Sequence, residues 1–250
     1  MISQINPVPI KRSKAVIGRT ISLFLAAALL VGLCAVFAAD FWEKKEYTQW
    51  SQQECKKILE DSPWSQPYLL QGFGSGEGDG APRIIYTVQF RSALPIRWAM
   101  VRNNQIASKY DKLSPEQKAQ FDLSVKEFMS VSYEDAVVVD VSYDHNVPSQ
   151  DLTIARFWQT QTRDLLKNQV YLYGSKGKKV PLADYKIGQG AQRKFQFIFP
   201  RQFDGKPIAT AEDKNIVLEF PYPVASGMGD GRGRVEFNVK KMMINGQLVY

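Results

Sequence analysis

AVVVDVSY, residues Ala136–Tyr143, decides the fold class. Its β-branched side chains favour a pleated, half-buried surface, and from here onward the apolar period is two, not 3.6. Asp140 lies opposite in face to Val139 and Val141, which reads as an outward-facing strand position. Upstream, RIIYTVQFR (Arg83–Arg91) has the same period, with Ile84, Tyr86, Val88 and Phe90 as the apolar set. Downstream, the spacing predicts short strands at Gln169–Tyr173, Val180–Ile187, Lys194–Phe199, Ile216–Phe220, Arg234–Met242 and Gln247–Tyr250. Turn residues separate them, and Asn245-Gly246 is a type I′ hairpin signal. Short strands at close, fairly even spacing point to an antiparallel β-sandwich, immunoglobulin-like in architecture, within an α+β chain that is mostly β.

Helix signals interrupt this pattern after Arg91, and they predict an insertion at about residues 94–130. Ser92 to Pro95 can open one helix that carries Trp98 and Val101. Ser114-Pro115-Glu116-Gln117 opens another, with serine as cap and proline at the first helical position. Phe121, Val125 and Phe128 recur at i, i+4 and i+7, an apolar stripe that needs a partner such as a sheet. A further helix is expected from Ser149, carrying Trp158. Residues 81–250 are thus read as one β-sandwich domain.

The segment 40–71 reads as a helical clamp. Ser51 and Glu54 form a capping box, with Trp50 before the cap and Cys55 at the fourth helical position in a hydrophobic-staple arrangement. Pro63 ends the helix near Ser62. Trp50 and Trp64 are either clamp residues holding this segment to the core or a binding platform, since such aromatics bury large areas. Residues 72–80, GFGSGEGDG, read as a flexible loop. Its two carboxylates fall short of the six or more oxygens of a calcium site.

Ile21–Ala39 is uncharged and apolar, follows Lys11, Arg12, Lys14 and Arg19, and reads as an N-terminal hydrophobic helix. This is the pattern of an export signal. Residues 1–39 are either cleaved after Ala38 or kept as an anchor, for which about 17–25 apolar residues suffice. Either way the basic flank places the rest of the chain outside the cytoplasm. The expected location is periplasm or cell surface, with membrane contact through residues 21–39 and an envelope protein as partner.

The net charge of +7 is misleading, because removing the four basic residues of 1–39 leaves +3. That gives little case for nucleic acid. Hydrophobic residues at 44% and aromatics at 12% argue for a packed core. Cys34 lies in the apolar segment, so Cys55 stands alone and reads as a small buried hydrophobe.

His145 is the one histidine. It reads as a solvated loop residue, since neither a nucleophile elbow nor a cluster of zinc ligands accompanies it. No cofactor or metal is expected. Arg201, in the loop Phe199-Pro200-Arg201, could meet an acidic ligand or bind loop carbonyls. The expected function is a non-enzymatic binding or scaffolding module of the cell envelope. The alternative is an envelope hydrolase acting through a pair of carboxylates, whose separation only a structure reveals.

The motif Trp50-Ser51-x-x-Glu54-Cys55-x-Lys57-x-Leu59-x-Asp61-Ser62-Pro63-Trp64 resembles one found in uncharacterised exported bacterial proteins. The Phe199-Pro200-Arg201 loop and the Lys241-Met242-Met243 end are similar to the same group. The layout is similar to that of GWxTD-domain proteins, whose Gly-Trp-x-Thr-Asp signature is absent here. The resemblance implies export and supplies no activity.

Overall fold

The computed structural model describes residues 41–72, 82–146, 148–188, 193–223 and 231–250. The expectations for residues 1–39 and for most of the glycine-rich stretch 72–80 fall outside these. Residues 1–46 and 47–250 are separate compact units. In the first, the described part is a helical turn, Phe41–Lys44, where the Phe41 and Trp42 rings meet edge to face at 5.1 Å.

The second unit is a mixture of helices and antiparallel sheets. The first sheet has the order β1-β2-β3-β7-β6, built from Ser65–Gln71, Arg83–Phe90, Ala136–His145, Lys194–Pro200 and Asp184–Ile187. The second has the order β11-β10-β4-β5, from Arg232–Asn238, Asn215–Pro221, Tyr171–Gly174 and Val180–Pro181. Alternation buries Ile84, Tyr86, Val88 and Phe90 of β2 with Val137, Val139 and Val141 of β3, and Phe195, Phe197 and Phe199 of β7. These residues meet Leu218, Phe220 and Phe237 of the second sheet: Phe90 packs on Phe237 at 4.7 Å and Tyr86 on Phe220 at 5.5 Å, both edge to face. Burial of each such ring is worth about 1.5–3 kcal/mol. Two small hairpins complete the strands: β8 (Gln202–Phe203) with β9 (Lys206–Pro207), and β12 (Met243–Ile244) with β13 (Gln247–Leu248). In both, the two turn residues have positive φ, which a type I′ turn requires.

Helix α1 (Gln52–Glu60) starts at the capping box, in which Ser51 and Glu54 satisfy each other's backbone donors. Its last carbonyls are satisfied too: Ser62 Oγ donates to Ile58 O, and Ser65 Oγ and Gln89 Nε2 donate to Leu59 O. Helix α2 (Leu94–Ala107) packs against α1, and Arg102 Nε donates to Trp50 O at 2.9 Å. Helix α3 (Pro115–Ser130) begins with a second capping box, Ser114 with Gln117. Helix α4 (Asp151–Gln159) carries Trp158, which stacks on Phe195 at 4.0 Å and donates to Tyr86 Oη. A one-turn helix, α5 (Arg163–Leu166), follows.

Several expectations need correction. Residues 65–71, read as the end of a helical clamp, form strand β1, so the inserted helices α2 and α3 follow the second strand of the domain, where the sequence pattern makes Arg83–Arg91 the first. The local pattern SQPYLLQ is a weak strand signal. Pairing with β2 over seven residues overrides it, and Pro67 is tolerated because β1 is an edge strand. Val180–Ile187 is not one strand: β5 belongs to one sheet and β6 to the other, with Leu182 and Ala183 making the crossing. The strand expected at Arg234–Met242 stops at Asn238, whose side chain accepts from Lys241 N and caps a 3₁₀ turn, Val239–Met242.

Candidate functional site

The outer face of the first sheet is incompletely covered. Cross-strand pairing lines up Pro67, Thr87, Ser142 and Lys194 as one row across β1, β2, β3 and β7. Gln89, Asp140 and Gln196 form the next row. Over these rows stand α2 and α3, and between sheet and helices lies a cleft of about 860 Å³. Clefts of 300–1,000 Å³ are the usual size for ligand sites.

Each wall has its own chemistry. From α3 come Phe121, Val125 and Phe128, the stripe at helical spacing. No residue of α3 is fully buried, so the stripe is not packed into the core and faces the cleft instead. From α2 come Met100, Asn103 and Asn104, and from the end of α1 come Leu59, Glu60 and Asp61. The floor carries the hydroxyls and amide of Thr87, Ser142 and Gln89, together with Pro67, Ile85 and the cations Arg91 and Lys194.

Of the charged residues lining the cleft, Glu60, Asp61 and Arg91 are paired, and Lys194 has no ion pair among the described residues. Arg91 Nη1 donates to Asp140 Oδ2 at 2.9 Å, and Gln196 Nε2 donates to the other oxygen at 2.8 Å. The Arg91 guanidinium sits 5.0 Å from the centre of the Phe128 ring, within cation–π range, and its Nε is buried with no hydrogen-bond partner. Asp61 pairs with Lys57, and Glu60 with Lys56.

The residues singled out from the sequence lie elsewhere. Trp50 and Trp64 are fully buried, which removes them as a contact surface. Trp64 Nε1 donates to Val249 O at 2.9 Å, so this ring is built into the core. Arg201 is half-buried and occupied within the protein. Its Nε donates to Tyr133 O, its Nη2 donates to Tyr250 O, and its guanidinium lies 4.8 Å from the Tyr250 ring. It therefore binds loop carbonyls, the second of the two fates expected for it.

His145 is not a solvated loop residue. It ends β3 with its side chain 2% exposed, stacks on Tyr143, and bonds Asp151 Oδ1 through Nε2 at 3.0 Å. Asp151 also accepts from Arg193, and the bond to His145 is the main cause holding its carboxyl below the usual range. The arrangement ties the start of α4 to the sheet.

A second polar network lies on the outer face of the other sheet. Burial would raise the Glu219 carboxyl, but hydrogen bonds from Lys179 and Tyr173, with the charges of Lys179 and Arg234, hold it lower than usual. Among the described residues, no group of three or more His, Cys, Asp or Glu could hold a metal ion. Among them, too, no helix is long and apolar enough to cross a membrane.

Sequence reasoning found the Phe121–Val125–Phe128 stripe but expected a sheet to bury it. The signal it missed is that Asn103-Asn104 and the polar outward positions of β2 and β3 share a surface with the stripe. No family model, curated protein or solved structure matches this chain.

Proposed function

We propose that the chain is a non-enzymatic binding or scaffolding module acting outside the cytoplasm, with the cleft above the first sheet as its contact site. The carrying observation is the cleft itself. It offers an aromatic wall, a floor that carries hydroxyls and an amide, and carboxylates already paired with cations. The reading takes the two sheets as a β-sandwich of immunoglobulin-like architecture, which the Phe90–Phe237 and Tyr86–Phe220 ring contacts support. Residues 21–39, apolar and flanked by basic residues, support delivery across a membrane by a cleaved signal or a retained anchor. The contact is with another component of the cell envelope.

The test places a photo-crosslinking residue at Val125, in the cleft, and at Leu152, on the exposed face of α4, in the full-length chain expressed in a Gram-negative host. Adducts from position 125 alone, in the extracytoplasmic or membrane fraction, are expected. Equal adducts from both positions would reject the cleft as the contact site. Turnover of a hydrolase substrate panel that Asp140→Asn abolishes would reject the non-enzymatic reading.

A further inference from the structure

We infer that the cleft above the first sheet takes an uncharged oligosaccharide, an assignment that rests on the binding-module reading. The observations are the two chemistries facing each other across one space. On one side stand the Phe121 ring and Val125, beside Phe128, whose ring is already engaged by the Arg91 and Arg97 guanidiniums, so Phe121 is the ring left to meet a sugar. On the other stand Thr87 and Ser142, adjacent by strand register, with Asn103 and Asn104 above. Among the described residues, none of these four polar side chains is engaged in a hydrogen bond.

Hydroxyls and primary amides each carry donor and acceptor together. The sugar hydroxyl does the same, so neighbouring hydroxyls of a pyranose can be met in both directions by such a floor. The faces of a pyranose present C–H groups, which suit the electron-rich face of an aromatic ring.

Other ligand classes fit less well. An acyl chain would take the hydroxyls and amides out of water without replacing their hydrogen bonds, at a cost of about 1–3 kcal/mol per group. An extended peptide adds to an exposed sheet edge, whereas the cleft opens on a sheet face where the main chain of β2 is bonded on both sides. An amphipathic helix seats its apolar side in an apolar groove, and half of this lining is polar. A strongly charged ligand gains less, because three of the four charged lining residues, Glu60, Asp61 and Arg91, are paired within the protein, and only the exposed Lys194 has no ion pair among the described residues.

The test is calorimetric titration of the full-length chain with chitotetraose and with maltotetraose, and in parallel with an amphipathic helical peptide and with decanoate. Saturable binding of at least one tetrasaccharide is expected, weakened tenfold or more by Phe121→Ala and by Asn103→Ala. Leu152→Ala, on α4, leaves it unchanged. Circular dichroism and thermal melts confirm that the variants stay folded. Asn103→Asp, which alters the surface without removing bulk, weakens binding in the same direction.

Absence of binding by both tetrasaccharides overturns the inference. Binding of the peptide or of decanoate alone overturns it as well, while leaving the module reading in place. That reading falls separately, through the crosslinking pattern at positions 125 and 152.

Discussion

Arg97, in the first turn of α2, donates from Nη2 to the carbonyl oxygen of Phe128, 3.3 Å away at the end of α3, and to that of Met129 beside it. The side chain is buried, and its guanidinium lies 5.0 Å from the Tyr133 ring and 5.8 Å from the Phe128 ring. A cation at a helix C-terminus complements both the unpaired carbonyls and the helix dipole. Because α3 has no fully buried residue, this contact is a main tether between it and the domain.

Arg97→Met keeps the bulk and removes the donors. Hydrogen exchange across residues 115–130 is then expected to rise by tenfold or more, with β2 and β3 unchanged. A hydrogen bond to a charged group is worth about 1.5–3 kcal/mol, and the first value corresponds to roughly that factor. Exchange in α3 equal to that of the unaltered protein would show that the helix is held by other means.

Gly233 stands directly opposite Phe220 in the β10–β11 pair. A Cβ at this glycine would lie 2.9 Å from the Phe220 ring and 3.2 Å from the Tyr68 ring. The two rings meet edge to face at 5.9 Å, which fixes their positions. Gly233→Ala is expected to destabilise by about 1–3 kcal/mol, the usual cost of overpacking. Thermal melts should show a drop of several degrees. Gly177→Ala, at a glycine without positive φ where a Cβ would meet its nearest atoms at 3.4 Å, is the matched control and should cost well under that. Equal effects at the two glycines would mean that ring packing is not what selects Gly233.

Much of this architecture was legible in local pattern. The runs at Ala136–Tyr143 and Arg83–Arg91 alternate strongly enough to announce their buried faces, and both capping boxes announce their helices. Strand β1 was not legible, because SQPYLLQ has little propensity of its own and exists through its pairing with β2. The split of Val180–Ile187 between two sheets was hidden for a related reason. Nothing local in Val180 to Ile187 states that the partners are Leu172 and Tyr171 at one end and Phe197 and Phe195 at the other. The cleft depends on register as well: Thr87 and Ser142 become neighbours only when β2 and β3 pair. The same holds for Trp50 and Trp64, since a tryptophan in a short helical clamp and one in a binding platform look alike in sequence and differ in burial.

Glu219 provides a test through pH. Its folded carboxyl titrates below the usual value, despite burial, because Lys179, Tyr173 and Arg234 favour the charged form. A carboxyl lowered in the folded state adds stability above its unfolded value of about 4.3, and that stability is lost as pH falls through the folded value. Glu219→Gln is therefore expected to be less stable than the unaltered protein at pH 7, by on the order of 1 kcal/mol for such a partly exposed network. The difference should shrink as pH falls from about 4 toward 3. Urea melts at pH 7 and pH 3 measure it, and a gap of the same size at both would show that the charge is not the source.

Cys55 carries the last prediction. It lies in α1 with no exposed surface, and its thiol is pushed up to about 11, chiefly by burial, with the Arg102 charge opposing. At pH 8 about one thiol in a thousand is then thiolate, the form that reacts. A disulfide reagent such as Ellman's should leave the native protein unlabelled over minutes at pH 8 and label it at once in concentrated urea. The thiol value is raised on folding, so its contribution to stability is complete below pH 9 and is lost as pH climbs from 9 through 11. Cys55→Ala removes the titration and should flatten this alkaline decline, at the cost of a small cavity in the contact between α1 and α2. Rapid labelling of the native protein at pH 8 would show that α1 opens readily and that the Trp50–Cys55 corner is not a fixed part of the core.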